Sequence, residues 1–303
     1  MQSGILTISD NCVRCHACLK MLNGCLYYNS VKGSKSMKSL KGVNRYLSVG
    51  VDANWIKEYL KDQTFEPGNR KTDTMFCMLN DAGITANKKF TDFGNIVKKL
   101  DVENPLMWAL MLCNLAYSPA FGWYIQNIPF QNTYLEAQLI LDMGEDTSKK
   151  DGGKKARGEF WNGFKTILDS NIAFKEIGFG IPEIEIKENR NGEIKKSMKS
   201  ILRLPWKSPE PVVILYSLYK FAEACGGYYQ FTLSRILDYD VESDGISPAE
   251  IFGLDRSTME KLLTGLSINH PDFITAQFNL DLDTITLNAD KTSLDVLALL
   301  KEE

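Results

Sequence analysis

Four cysteines near the start of the chain have the spacing of metal or cluster ligands. Cys12, Cys15, Cys18 and Cys25 form the pattern C-x2-C-x2-C-x6-C. Because the first three thiols recur at every third position, one loop can direct them all toward a compact centre, as in cubane iron–sulfur ligation. Structural zinc more often takes two separated pairs or a combination of Cys and His. The pattern therefore predicts one 4Fe-4S cluster on these four residues, with zinc as the alternative.

The other cysteines and the nearby histidine are not predicted as ligands. His16 directly follows Cys15, and adjacent side chains are awkward ligands for one metal. Cys77, Cys113 and Cys225 lie in apolar helical segments, where a thiol packs as a small hydrophobic group. The four clustered cysteines remain the predicted metal site.

A run of basic residues, the basic stripe, follows the cysteines among small residues. Its members are Lys32, Lys35, Lys38, Lys41 and Arg45. A helix would place them on one face, whereas a glycine-rich loop would bring backbone amides close to phosphate. The stripe is either a solvated surface or a contact for nucleic acid or a nucleotide phosphate. Base stacking would need aromatic neighbours, which are present as Tyr27, Tyr28 and Tyr46.

The sequence offers no set of residues for nucleophilic or acid–base catalysis. Its two histidines, His16 and His270, do not suit a Ser-His-Asp or Cys-His arrangement. The glycines and lysine at 151–154 follow polar residues instead of the apolar strand that a phosphate loop requires. Acids at 181–186 alternate with apolar residues, which is typical of an exposed strand face. No catalytic residue is predicted, and catalysis by this chain alone stays an open question.

Composition predicts a folded protein in the cytoplasm. The chain has 303 residues, 44% of them hydrophobic and 24% charged, which is ordinary for two or three globular domains. No apolar stretch approaches the roughly 18 residues needed to span a bilayer, and the first ten residues do not resemble a signal peptide. In the cytoplasm, seven cysteines with four of them clustered favour metal over disulfides.

The two ends of the chain differ in charge. Residues 1–50 contain seven Lys and Arg against one Asp, while residues 201–303 contain eight against 16 acids, although the net charge is only −3. A basic segment attracts nucleic acid or nucleotide phosphate, which an acidic segment repels. We therefore expect phosphate binding at the N-terminal end and a protein partner for the C-terminal segment.

Apolar periodicity predicts mainly helices up to residue 204. Helices are expected over 51–61, 71–82, 91–100 and 106–117, the second and third joined by a tight turn as in a weak helix-turn-helix. Residues 146–158 lack apolar periodicity and are predicted to be a flexible loop. Alternating residues before Asn191-Gly192 predict a hairpin there.

The last hundred residues predict a winged-helix pattern. Three prolines between 203 and 211 indicate a domain junction, followed by a helix over 212–225. Ser247 and Ser257 each have the features of a helix N-cap. Alternating segments at 273–278 and 284–287 complete the order helix, helix, helix, hairpin.

Several motifs resemble one bacterial protein family. They are CVRCHAC at 12–18, GVNRY at 42–46, PVVILY at 211–216, GISP at 245–248, IFGL at 251–254 and KTSLDVL at 291–297. The first two are similar to the region after the catalytic domain in phosphoadenosine phosphosulfate (PAPS) reductase-family proteins. The others resemble an uncharacterised domain that accompanies those proteins in anti-phage defence islands. The resemblance implies sulfur chemistry on a nucleotide or on DNA.

This chain departs from that family in one important respect. It lacks the Ser-Gly-Gly-Lys-Asp-Ser type loop and the nucleotide hydrolase domain that carries it. The activating domain is therefore expected in another polypeptide, or it was lost. The chain alone is not expected to activate sulfate.

Together these features predict a mainly α protein with small β-hairpins, of the α+β class. Its parts would be an iron–sulfur module with the basic stripe at 1–50, a helical domain at 51–204 and a winged-helix-like domain at 205–303. The predicted function is an iron–sulfur accessory protein of a PAPS reductase-like, DNA-modification or anti-phage defence system. The alternatives are a redox-sensing DNA-binding regulator and an electron- or sulfur-transfer subunit of a separate PAPS reductase-like enzyme.

Overall fold

The computed structural model describes residues 41–143, 152–188, 191–238, 243–279 and 282–301. The chain divides into two units, Met1–Met37 and Lys38–Glu303, and all described residues belong to the second. About 51% of the described residues are helical, and small antiparallel sheets accompany the helices. A mixed α+β class is therefore confirmed. The predicted ligands and part of the stripe lie outside the described residues, namely Cys12, Cys15, Cys18, Cys25, Lys32, Lys35 and Lys38.

The first elements are short helices around a small hairpin. They are α1 (Ala53–Lys61), α2 (Asn69–Asp81), β1 (Thr85–Ala86), β2 (Lys89–Phe90), α3 (Asp92–Val97), α4 (Pro105–Leu115) and α5 (Pro119–Asn127). Asn87 and Lys88 both have positive φ, as the two central residues of a type I′ turn require. This hairpin separates α2 from α3, so the predicted tight helix-turn-helix connection is wrong.

Helix α4 occupies the centre of the fold. Asn104 caps it by accepting from the Leu106 N–H, and Pro105 occupies the first turn, where its missing N–H costs no hydrogen bond. Most of its side chains are buried, as the apolar run predicts. Asn114 on this helix accepts a hydrogen bond of 2.9 Å from the Tyr216 hydroxyl. The C-terminal segment therefore packs directly on the central helix.

The middle of the chain combines helices with one sheet. Its elements are β3 (Thr133–Leu135), α6 (Glu136–Met143), α7 (Gly152–Ser170), α8 (Ile172–Glu176), β4 (Ile181–Glu188) and β5 (Ile194–Leu202). The sheet order is β3-β5-β4, all antiparallel. The hairpin predicted around Asn191-Gly192 is confirmed. The loop predicted over 146–158 is wrong from Gly152 onward, because α7 begins there.

The first turns of helix α7 are basic, and they are helical because the later turns are firmly packed. Phe160, Trp161 and Phe164 are buried, and Trp161 donates from Nε1 to the Met198 carbonyl at 3.0 Å. Once those turns are fixed, each added helical residue gains a backbone hydrogen bond at little further nucleation cost. Lys and Arg also have good helix propensity. The basic residues 154–157 are therefore helical.

The C-terminal elements surround a second three-stranded sheet. They are α9 (Pro211–Ala224), β6 (Gln230–Phe231), α10 (Leu233–Leu237), α11 (Pro248–Phe252), α12 (Arg256–Asn269), β7 (Ile274–Asn279), β8 (Leu282–Leu287) and α13 (Ser293–Val296), followed by a 3-10 turn over Leu297–Lys301. The sheet order is β6-β8-β7, and both pairings are antiparallel. Ser247 caps α11 as predicted. The cap of α12 is Asp255 instead of Ser257, because the Asp255 carboxylate accepts from the Thr258 N–H.

One buried arginine joins the two sides of the predicted boundary at 204. Arg203 is fully buried and donates from Nη1 to the carbonyls of Ile125 and Ile128, at 2.9 and 2.8 Å. Its Nη2 donates to the Ile251 carbonyl at 3.0 Å. The guanidinium carbon lies 3.9 Å from the centre of the Phe130 ring. Packing is therefore continuous from the middle of the chain into the C-terminal segment.

Within these described ranges, the helices are all too short or too polar to cross a membrane.

Candidate functional site

The segment Gly42 to Tyr46, where the basic stripe ends, is held by tight turns. The Arg45 N–H donates to the Gly42 carbonyl at 3.1 Å, and the Gly50 N–H donates to the Tyr46 carbonyl at 3.0 Å. Val43 and Tyr46 are buried. Burial of these two residues fixes the segment and leaves Asn44 and Arg45 to make polar contacts.

Two glycines bring this turn and α7 together backbone to backbone. Gly50 has a positive φ, and a Cβ on it would overlap the Gly163 carbonyl oxygen. A Cβ on Gly163 would lie 2.5 Å from the Leu47 carbonyl oxygen. These distances leave no room for a side chain at either position. The turn is therefore fixed against one face of α7.

Arg45 is oriented by groups on α2 and by its own neighbour. Its Nε lies 2.8 Å from Asp81 Oδ2 and 3.3 Å from Cys77 Sγ. The Tyr46 hydroxyl donates to the same Asp81 oxygen at 2.6 Å, and Ser118 Oγ lies 3.3 Å from that hydroxyl. We call these five residues the Arg45 cluster. Within the described part of the chain, the side-chain contacts of Arg45 are made by Nε.

Burial and charge set the protonation of the Arg45 cluster. Burial raises the pKa of Asp81, although the Tyr46 hydrogen bond and the Arg45 charge partly oppose this shift. Burial and the Asp81 charge raise the pKa of Tyr46 well above its usual value. For Arg45, burial lowers the pKa, but the Cys77 hydrogen bond and Asp81 outweigh it and the net shift is upward. Tyr46 therefore stays a neutral donor, and Arg45 stays charged.

Burial also raises the pKa of the Cys77 thiol, and this effect outweighs the hydrogen bond from Arg45. The thiolate is the reactive form of cysteine. Cys77 therefore acts here as a neutral acceptor that helps to orient Arg45.

A second polar contact lies beside the cluster. Asn44 Nδ2 donates to Glu159 Oε2 at 2.6 Å, and Arg70 Nη2 lies 4.0 Å from Glu159 Oε1. Glu159 on α7 is 8% exposed, and both of its carboxylate oxygens face protein groups. Glu159 thus joins the turn, the start of α2 and the start of α7.

The structure describes two of the nine predicted site residues. Lys41 is exposed at the start of the turn, and Arg45 belongs to the Arg45 cluster. Sequence reasoning missed Asp81, Arg70 and Glu159. Arg70, Cys77 and Asp81 are seven and four residues apart, which places them on one face of a helix. This spacing predicts that the three residues share a helix face. It does not predict that Cys77 and Asp81 contact Arg45.

The described cysteines are separated in the fold. Cys113 is fully buried, as predicted for a packed thiol, and burial raises its pKa to about 12. Cys77 and Cys225 are half-buried, and Cys225 Sγ lies 3.3 Å from Ser243 Oγ. Within the described ranges, no three His, Cys, Asp or Glu side chains are grouped to hold a metal. The predicted cluster ligands lie outside those ranges.

The C-terminal sheet and α12 form a second surface. Arg256 Nη1 lies 3.0 Å from Glu260 and 2.9 Å from Asp283, which fastens the start of α12 to β8. Lys261, Thr264 and Ile268 are exposed at helical spacing, and Ile268 is 72% exposed. A half-open cavity of about 590 Å³ lies nearby, between α9, β6, α10 and β8. Its lining includes Phe221, Cys225, Tyr228, Phe231 and Arg235.

Comparison of the chain with family models, with curated proteins and with solved structures gives no match.

Proposed function

We propose that this chain is an iron–sulfur accessory protein of a PAPS reductase-like, DNA-modification or anti-phage defence system. It binds nucleic acid or a nucleotide phosphate through its basic stripe and a protein through its C-terminal part. The observation that carries the proposal is the orientation of Arg45 by Asp81, Cys77 and Tyr46. A guanidinium held through Nε presents its two terminal nitrogens as a pair, the geometry that suits two oxygens of one phosphate.

The cluster part of the proposal rests on sequence spacing. Cys12, Cys15, Cys18 and Cys25 would hold a 4Fe-4S cluster, or zinc in the alternative. The family resemblance supports a role beside a sulfur-activating enzyme.

The C-terminal part supports a protein partner. The order of helices α9, α11 and α12 followed by the β7–β8 hairpin supports the proposal of a winged-helix-like part. The usual DNA-reading helix of such a domain would be α12, but its Arg256 is neutralised by Glu260 and Asp283. With 16 acids against eight bases in residues 201–303, this part repels DNA. The exposed Ile268 and Thr264 of α12 instead suit contact with a protein.

The first test is anaerobic purification of the full chain with iron, sulfide and zinc analysis, using Cys15→Ser as the matched variant. We expect about four iron and four sulfide per chain, lost in the variant. One zinc without sulfide would contradict the iron–sulfur assignment and make the N-terminal segment a structural zinc module. If the unaltered chain and the variant both contain no iron and no zinc, the cluster assignment is wrong.

The second test addresses phosphate and partner binding. Duplex DNA binding should weaken in the double variant Lys35→Glu with Lys38→Glu, and its salt dependence should become shallower. Unchanged affinity and slope would show that the stripe does not contact phosphate. Copurification of a PAPS reductase-like enzyme would favour the electron- or sulfur-transfer subunit. Sequence-specific DNA binding that changes on oxidation would favour the redox-sensing regulator.

A further inference from the structure

We propose that two copies of this chain pair through strand β4, edge to edge and antiparallel, about a two-fold axis at Ile186. The partner is a second copy of the chain, and the sheets of the two copies join into one. This inference goes beyond the proposed function, because the pairing needs neither the metal nor phosphate binding.

Strand β4 is an edge of its sheet. In the order β3-β5-β4 it pairs with β5 on one side, and no described strand pairs with its other side. Pro182 near its start is typical of an edge strand, since proline cannot donate to a neighbouring strand. The register against β5 shifts between Glu183 and Ile184. Residues 184–188 therefore form the regular part of this edge, and an unpaired edge is a template for another strand.

One face of the β4–β5 hairpin stays apolar beyond the part that the core covers. Ile184, Ile186, Ile194 and Met198 share this face, because Ile184 pairs with Met198 and side chains alternate along each strand. Met198 is buried and Ile184 packs against the core, whereas Ile186 is 61% exposed and Ile194 is 71% exposed. Pairing at β4 sets Ile186 against the partner's Ile186 and removes apolar surface from water on both copies.

The opposite face of β4 carries charges whose order is self-complementary. Glu185 and Lys187 lie on this face, one on each side of Ile186, and Lys187 Nζ is 3.1 Å from Glu185 Oε2. Antiparallel pairing centred on Ile186 places Glu185 of each copy opposite the partner's Lys187. Opposite charges at facing positions stabilise a pair of strands, and like charges destabilise it. This charge complementarity, formed twice by symmetry, is the observation that identifies a second copy as the partner.

The other symmetric registers place like charges opposite each other. Centring on Glu185 or on Lys187 sets that residue against its own counterpart, and centring on Ile184 sets Glu185 against the partner's Glu183. A shift by one residue would exchange the two faces and is excluded by the alternation of side chains. In the register centred on Ile186, Ile184 faces the partner's Glu188, whose side chain is exposed and stays in water.

The test is sedimentation velocity of the full chain over concentrations from about 1 to about 300 μM. The charge variants are Glu185→Lys, Lys187→Glu and the double variant with both substitutions. The control is Lys195→Glu, which makes the same change of charge on the same face, at the β5 position that pairs with Lys187 inside the chain. Thermal melts check that each variant is folded.

We expect the unaltered chain and the control to dimerise in this range, with dissociation constants within about twofold of each other. Each single variant should dimerise at least roughly tenfold more weakly, because it places like charges opposite each other twice. The double variant restores opposite charges and should dimerise within about threefold of the unaltered chain. An equimolar mixture of Glu185→Lys and Lys187→Glu should form a mixed dimer, detected by sedimentation of one fluorescently labelled variant.

A chain that stays monomeric up to about 300 μM would overturn the inference. Dimerisation that neither single variant weakens would place the interface elsewhere and also overturn it. An equal loss in Lys195→Glu would show a general charge effect, with the same consequence. If both single variants weaken dimerisation but neither the double variant nor the mixture restores it, the antiparallel register at Ile186 is wrong.

Discussion

Arg45 and Arg256 both pair with carboxylates, but they use different nitrogens of the guanidinium. Arg45 is held through Nε alone, by Asp81 and Cys77. Arg256 uses Nη1 for Glu260 and Asp283, and Nη2 lies 3.3 Å from Ser234 Oγ. Among the described residues, the contacts of Arg45 use Nε, whereas Arg256 uses both terminal nitrogens to fasten α12. The availability of donors, more than the number of charges, distinguishes a binding arginine from a structural one.

Arg203 is a third arginine, and its side chain is fully buried. Arg203→Met should lower the free energy of unfolding by about 3 kcal/mol or more, because the buried carbonyls of residues 125, 128 and 251 lose their donors. Urea denaturation followed by circular dichroism measures this loss. Arg203→Lys should recover only part of the stability, since one ammonium cannot reach all three carbonyls. A loss below about 1 kcal/mol in both variants would show that the hydrogen bonds of Arg203 do not stabilise the contact between the middle of the chain and its C-terminal segment.

Asp81→Asn tests whether the orientation of Arg45 matters for binding. The amide cannot form the ion pair, so the guanidinium loses its fixed direction. We expect a severalfold weaker affinity for duplex DNA, while stability changes by less than about 1 kcal/mol, because the amide also removes the buried charge whose desolvation raises the pKa of Asp81. Anisotropy and urea denaturation on the same preparation give both values. Arg45→Lys is the comparison variant: if it binds DNA as well as the unaltered chain, the fork geometry is irrelevant.

Arg256→Gln should have a smaller effect on stability. Its side chain is 50% exposed, so solvent screens both ion pairs and the expected loss is below about 1 kcal/mol. DNA affinity should stay unchanged, since the Arg256 fork already serves Glu260 and Asp283. A marked loss of affinity would place phosphate contacts on α12 and break the distinction between the two arginines.

The smallest expected effect is a pH dependence carried by Asp81. Its pKa is raised in the folded chain above the usual 3.8, mainly by burial. The folded state then binds a proton more tightly than the unfolded state, so this group's contribution to stability falls as the pH rises above 3.8. In Asp81→Asn that decline should be absent. Urea midpoints measured across this range compare the two proteins, and identical pH profiles would contradict the assignment.

Features set by neighbouring residues could be predicted from the sequence, and features set by distant ones could not. The starts of α4 and α11 follow from Asn104-Pro105 and Ser247-Pro248, where cap and proline act within one turn. The start of α12 was predicted two residues too late, because Asp255 and Ser257 are both good cap residues. In the structure Asp255 is the cap. Strand β3 pairs with β5 almost seventy residues later, a contact that no local pattern encodes.

The same distinction between near and distant residues holds for the candidate site. Arg45 was predicted from its spacing within the stripe, whereas its partners depend on how α2 packs against the turn. The helical start of α7 was missed because residues 152–158 have no apolar periodicity of their own. Burial of Phe160 and Trp161 stabilises this helix, and both residues lie beyond the segment 152–158.

The close approach of Gly50 and Gly163 has a consequence for how this protein can evolve. At both positions the obstacle is a backbone carbonyl, which no substitution can shorten. A side chain at one position therefore has no compensating change at the other. We expect each glycine to be retained independently in descendants of this chain, even where the cations around them are exchanged.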